Sequence, residues 1–128
     1  MNNKKTILVV DDEDFIRDTL GEKLSKSGFD VLKASDGEEA LKIATESHPD
    51  LILLDIVMAK MDGMTCMKKI REDAWGSTVP IIMLTQMEPD DQMLQEIVES
   101  KPTYYLVKNK FSLDEVVEKV KSRLAESN

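Results

Sequence analysis

Apolar residues in this chain fall into short dense runs, separated by stretches where they recur every three or four positions. The dense runs are T-I-L-V-V at Thr6–Val10, D-V-L-K-A at Asp30–Ala34, L-I-L-L at Leu51–Leu54, I-I-M-L at 81–84 and Y-Y-L-V at Tyr104–Val107. Their length and their β-branched, aliphatic and aromatic content predict strands. Between them Ile16, Leu20 and Leu24 are spaced by four, and Met67 and Ile70 share a helical spacing within 63–73. Leu113, Val116, Val117, Val120 and Leu124 form a single stripe. Gly28 follows the first helix, His48-Pro49 stops the second and Pro80 introduces the fourth strand. Pro89, Asp90 and Asp91 suit the first turn of a helix over 89–99. Asp36 with Glu39, and Ser112 with Glu115, have the spacing of capping boxes.

Strands this continuously apolar are buried on both faces, which predicts a parallel sheet covered by helices on each side. Five strand–helix units of this kind make an α/β domain. No repeat, low-complexity tract or linker interrupts them, and little chain follows the last stripe. The expectation is one domain over 1–128 with no output domain.

The 128 residues are 41% apolar and 33% charged, the balance of a globular chain. No apolar run is long enough for a bilayer span or a leader, so a cytoplasmic location without membrane insertion is expected. The net charge of −8 argues against direct binding to nucleic acid or an anionic membrane, leaving proteins and small ligands. Cys66 is the only cysteine, which excludes an intrachain disulfide and reads as a packing residue. Met58, Met61, Met64 and Met67 recur every three residues and also read as packing. His48 reads as a surface residue in a turn.

The candidate chemistry lies where strands end. The first ends in Asp11-Asp12-Glu13, the third in Asp55, the fourth in Thr85 and the fifth in Lys108. In a parallel sheet these ends share one edge, and open α/β sheets bind their ligands there. Three aspartates against one lysine call for a further cation. The donors are all oxygen, and water has room among them, which suits Mg²⁺ better than Zn²⁺. Such a pocket fits phosphoryl transfer. A carboxylate can act as nucleophile, and Asp55, emerging from the central strand, is the best placed.

With I-L-V-V-D-D, L-I-L-L-D followed by M-D-G, P-I-I-M-L-T and Y-L-V-K in order, the chain resembles a response-regulator receiver domain of the CheY-like type over nearly its whole length. The resemblance implies a flavodoxin-like doubly wound sandwich with strand order 2-1-3-4-5, whose reversal point lies between the first and third strands. It implies that Asp55 accepts a phosphoryl group from a sensor histidine kinase, a phosphotransfer protein or a small phosphodonor. Asp12, Asp55 and the backbone carbonyl of Val57 would ligate Mg²⁺ directly, with Asp11 acting largely through water. Thr85 and Lys108 would contact the phosphoryl oxygens. Thr85 and Tyr105 would form the switch that alters binding of an unidentified protein output partner. No substrate turnover is implied beyond the domain's own phosphorylation and slow autodephosphorylation. Alternation in T-Y-Y-L-V also allows a tyrosine simply packed in the core, the lesser of the two readings.

Three positions depart from the family pattern. Ala59 stands where a proline is usual, Gln86 follows the threonine where a small residue is usual, and Asn109 replaces a proline that follows the lysine in a cis bond. A cis bond before a non-proline costs about 2.5–4 kcal/mol, so a trans bond is expected here. Val57 and Met87, at the positions that flank the hydrolytic water in the family, cannot orient water, which predicts a slowly decaying phosphorylated form. Two other functions compete. Metal-dependent phosphatases with an aspartate nucleophile carry D-x-D, and Val57 fills the second position here. A receiver-like module that only binds partners fits Gln86 and Asn109 but leaves the aspartates, threonine and lysine unexplained.

Overall fold

In the computed structural model, which describes residues 4–86, 90–100 and 102–126 and only the backbone at Ser100, strands and helices alternate throughout. They are β1 (Thr6–Val10), α1 (Asp14–Lys26), β2 (Asp30–Ala34), α2 (Gly37–Ser47), β3 (Leu51–Leu54), α3 (Gly63–Glu72), β4 (Ile81–Thr85), α4 (Asp91–Ser100), β5 (Tyr104–Val107) and α5 (Leu113–Glu126). All pairings are parallel and the strand order is β2-β1-β3-β4-β5, as the resemblance implies. Four strands have the expected bounds. β4 runs one residue further, so Thr85 still pairs with Val107 of β5.

The side-chain alternation of the strands divides the core. Leu8, Val10, Ile52, Leu54, Ile81 and Met83 face α2, α3 and α4. Ile7, Val9, Leu51, Leu53, Ile82 and Leu84 face α1 and α5. β3 lies at the centre and is buried along its whole length. Each large side chain withdrawn from water in this way contributes roughly 1.5–3 kcal/mol. The sheet is thus rigid where its polar ends must be held.

Local chemistry starts and stops the helices largely as expected. The Asp36 carboxylate accepts from the Glu39 N–H at 2.9 Å, although Glu39 reaches back to the Ser35 N–H rather than to Asp36. Ser112 and Glu115 make the reciprocal box, at 2.9 and 3.1 Å. Asp62 caps α3 by accepting from Thr65 N–H, a cap that the apolar spacing does not announce. α3 ends at Glu72 rather than Asp73, and α4 begins at Asp91, with the Asp90 carboxylate accepting from Met93 N–H at 2.8 Å. The cap is therefore Asp90, because an aspartate's short acceptor satisfies the open N–H groups of the first turn. Pro89 lies outside the described residues. His48 ends α2 in the left-handed region (φ 47°). It is exposed but not idle: its ring stacks on Trp75 at 4.6 Å.

Met64 and Met67 are buried, and Met58 and Met61 pack partly buried against the same cluster, as the packing reading expects. Cys66 is fully buried, and burial pushes its thiol up to about 12, which makes it inert at neutral pH. The Lys108–Asn109 peptide is trans, and a 3₁₀ turn follows over Lys108–Lys110. No helix among the described residues is long and apolar enough to cross a membrane.

Candidate functional site

The sheet ladder itself delivers the acids. The Asp11 N–H donates to the Ala34 carbonyl and the Asp55 N–H to the Val10 carbonyl, at 3.2 and 3.1 Å, so both backbones are still clamped where their side chains leave the sheet. Asp12, one residue on, is exposed. Carboxylate oxygens of Asp11, Asp12 and Asp55 come within 4.8 Å of one another. Gly63 seals the other side of Asp55. Its N–H donates to the Ile56 carbonyl at 2.8 Å, and a methyl group on it would drive into the Asp55 carbonyl oxygen. A side chain there would push α3 away from the loop that carries Asp55.

Lys108 arrives from the end of β5. Its ammonium lies 2.8 Å from Asp11 Oδ2, 2.9 Å from Glu13 Oε1 and 3.4 Å from Asp55 Oδ2. The other Asp11 oxygen accepts from the Glu13 N–H at 2.9 Å, and Arg17 donates to the Asp11 carbonyl, so Asp11 is held at both ends. The buried Thr85 hydroxyl hydrogen-bonds Asp55. A cleft of about 430 Å³ opens over this group, lined by Asp12, Glu13, Asp55, Val57, Thr85 and Gln86.

Asp55 is more enclosed than its emergence from a strand end suggests: only 4% of it is exposed, and 2% of Asp11. Burial is the main force raising the Asp55 pKa. Lys108 opposes the rise, the Asp11 charge adds to it, and Thr85 opposes it again. Asp11 is raised for the same leading reason, against the hydrogen bonds from Lys108 and from the Glu13 N–H. Burial works to lower the Lys108 pKa, but hydrogen bonds to Asp11 and Glu13, with the Asp55 and Asp11 charges, hold it above its ordinary range. The two directions agree physically. One ammonium among three carboxylates is strongly favoured, while each carboxylate has only a share of it.

Tyr105 is half-buried against the cluster beneath α2, α3 and α4. Burial raises its hydroxyl pKa, and so does the charge of Asp55. Tyr104 faces the opposite layer, with Lys119 Nζ 5.3 Å from its ring centre. Alternation puts Tyr105 in the α2–α4 layer and Tyr104 in the other, and it is Tyr105 that feels the Asp55 charge. Asp11, Asp12, Asp55, Thr85 and Lys108 meet at one place, and Val57 stands at the lip with 57% of its surface exposed. Met87 lies outside the described residues.

The way Lys108 and Gln86 are partnered was not expected. Glu13 shares Lys108, and Gln86 Nε2 donates to the same Glu13 oxygen at 3.1 Å. The only prior signal was the third acid in Asp11-Asp12-Glu13, whose first duty by pattern is to precede a helix.

Known proteins share this fold. The sequence profile of the response regulator receiver domain matches residues 7–121. The alkaline phosphatase synthesis transcriptional regulatory protein PhoP of Bacillus subtilis is 44% identical over 126 residues, 98% of this chain and 50% of that one. Chemotaxis protein CheY4 of Vibrio cholerae superposes with a TM-score of 0.83 at 31% identity, covering 93% of this chain and 98% of its own. CheY of Borrelia burgdorferi, solved with CheX, BeF₃ and Mg²⁺, gives 0.81 at 28% identity, covering 94% and 89%. The chain spans about a third to a half of the length of the curated relatives it matches.

Proposed function

The chain belongs to the response-regulator receiver family, and from that premise we propose that Asp55 accepts a phosphoryl group and that the modified form signals through altered partner binding. The observation that carries this reading is the set of donors around one carboxylate. Asp55 Oδ2 has Lys108 Nζ at 3.4 Å and the Thr85 hydroxyl bonded to the same carboxylate, at the floor of an open cleft. An Asp55 oxygen attacks phosphorus, an O–P bond forms, and the bond from phosphorus to the donor's nitrogen or oxygen breaks with its electron pair leaving on the donor. Lys108 and Thr85 offer N–H and O–H groups to the phosphoryl oxygens as charge gathers on them.

The residues fit a hard divalent cation. Asp11, Asp12 and Asp55 supply only oxygen, lie within 4.8 Å of one another and include one exposed member that leaves room for water. With the Val57 backbone carbonyl they would hold Mg²⁺, and when bound it neutralises the crowded carboxylates and the phosphoryl oxygens. The phosphodonor is a sensor histidine kinase or phosphotransfer protein, the class that serves this family. The proposed readout is a protein contact, since a net charge of −8 disfavours DNA. Thr85 and Tyr105 are the proposed switch pair: both sense Asp55, and Tyr105 sits half-buried beside α4, able to pack further in. Val57 stands where aspartate-nucleophile phosphatases carry a second acid, which argues against multiple turnover, and its apolar side chain at the lip cannot orient a hydrolytic water, so the phosphorylated form should decay slowly.

The test is to incubate the protein with Mg²⁺ and acetyl phosphate and follow its intact mass. One phosphate adduct, absent in Asp55→Asn, supports the reading. Steady release of phosphate over many turnovers would identify a phosphatase instead, and no adduct with any donor would leave a binding module. Rapid loss of the adduct without a phosphatase would refute the slow decay.

A further inference from the structure

We propose that Glu13 and Gln86 act as a resident stand-in for the phosphoryl group, which occupies Lys108 in the resting protein and restrains phosphoryl entry. The inference rests on Asp55 being the acceptor, and concerns what must move before it can act. Lys108 has three N–H groups. Its two short contacts go to Asp11 and Glu13, at 2.8 and 2.9 Å, and Asp55 has only the long one at 3.4 Å. The cation expected to meet the incoming group is therefore mostly committed elsewhere.

Glu13 holds it through an oxygen that also accepts from Gln86 Nε2 at 3.1 Å. One anionic oxygen thus collects an ammonium and an amide donor, as a phosphoryl oxygen would. The two residues come from different walls: Glu13 follows β1 and Gln86 follows β4, and both line the cleft that holds Asp55. Their bond joins the two walls of that cleft. A small residue at position 86 could not reach Glu13, so the larger side chain there has a specific consequence.

Glu13 is also the displaceable partner. Asp11 is buried, bonded to the Glu13 N–H and clamped to the sheet, whereas the Glu13 side chain is 43% exposed. Water can receive its carboxylate when a phosphoryl group takes Lys108. Gln86 then loses its acceptor and its tie to the start of α1. Both residues are positioning groups that act through Lys108.

Initial rates of adduct formation with Mg²⁺ and limiting acetyl phosphate test this in wild type, Glu13→Ala, Glu13→Gln, Gln86→Ala and the Glu13→Ala/Gln86→Ala double variant. Glu13→Ala should be faster by about three- to tenfold, the scale of one half-exposed charged hydrogen bond. Glu13→Gln and Gln86→Ala should rise less, and the double variant should be no faster than Glu13→Ala, because Gln86 acts through Glu13. Half-saturating beryllium fluoride with Mg²⁺, followed by amide NMR shifts, should fall in the same order without any turnover. A Glu13→Ala rate equal to or below wild type, with unchanged melting, overturns the proposal. So does a double variant whose gain is the product of the single gains, which would make Gln86 a steric plug. No adduct and no beryllium fluoride binding in wild type would overturn the phosphoryl-acceptor reading itself.

Discussion

At neutral pH and without a divalent cation, Asp55→Asn should make the folded protein more stable. Asp11 and Asp12 place carboxylate oxygens within 4.8 Å of those of Asp55, and at an effective dielectric near 20 each full like-charge pair costs about 3.5 kcal/mol. Asp12 is exposed, so solvent screens its share to roughly half. Lys108 at 3.4 Å returns about 5 kcal/mol on the same scale. Repulsion and attraction nearly cancel, and the cost of burying the charge is left over. Removing one partner of a buried ion pair is ordinarily harmful because the other is stranded. Here Lys108 keeps Asp11 and Glu13, both closer than Asp55. The net gain should be about 1–2 kcal/mol, or roughly 3–8 °C in melting temperature for a domain of this size.

The pH dependence has a definite sign. The folded-state pKa of Asp55 lies above the ordinary 3.8, chiefly because of burial, so the folded protein holds this proton more tightly than the unfolded chain. Stability from this group is full below 3.8 and is lost as pH rises through the folded value. Circular-dichroism melts at pH 7 in EDTA and low salt should show the gap between variant and wild type. The gap should narrow as acid protonates the wild-type carboxyl, and Mg²⁺ should narrow it by stabilising wild type through binding. An Asp55→Asn protein that melts below wild type at pH 7 without metal would refute the reasoning.

Gly63→Ala should lose about 2 kcal/mol or more in urea unfolding and lower the phosphorylation rate, because its methyl meets the Asp55 carbonyl oxygen, a backbone atom with nowhere to go. Cys66, buried with its thiol pushed up to about 12, should react with a thiol reagent only as fast as the native fold opens. Prompt labelling at pH 8 would contradict its burial. Trp75 is partly buried and its Nε1–H has no partner among the described residues. Trp75→Phe should therefore cost less than about 1 kcal/mol, since relief of an orphan donor worth about 1–3 kcal/mol offsets the lost contact. His48→Ala, which removes the ring stacked on Trp75 at 4.6 Å, should cost about 0.5–1.5 kcal/mol by the same urea assay.

Local patterns along the chain determined the five strands, the order of helices between them and the caps at Asp36 and Ser112, because each depends on apolar periodicity or on polar groups three or four residues apart. The convergence of Asp11, Asp12, Asp55, Thr85 and Lys108 was legible too, since parallel strands must bring their carboxyl ends to one edge. The order of those strands was not: alternation says which face a residue takes, never which strand lies beside it, and family resemblance had to supply that. The start of α4 at Asp91 escaped because proline and two aspartates offer competing first turns. What only the tertiary structure decided was how the charges are shared. Asp55 is deeply enclosed because Gly63 lets α3 close on its backbone. Lys108 commits to Glu13, 95 residues away in the chain, and Gln86 commits to the same oxygen. Such choices turn on differences of a few tenths of an ångström among carboxylates of one chemical type, and no pattern along the chain carries distances that small.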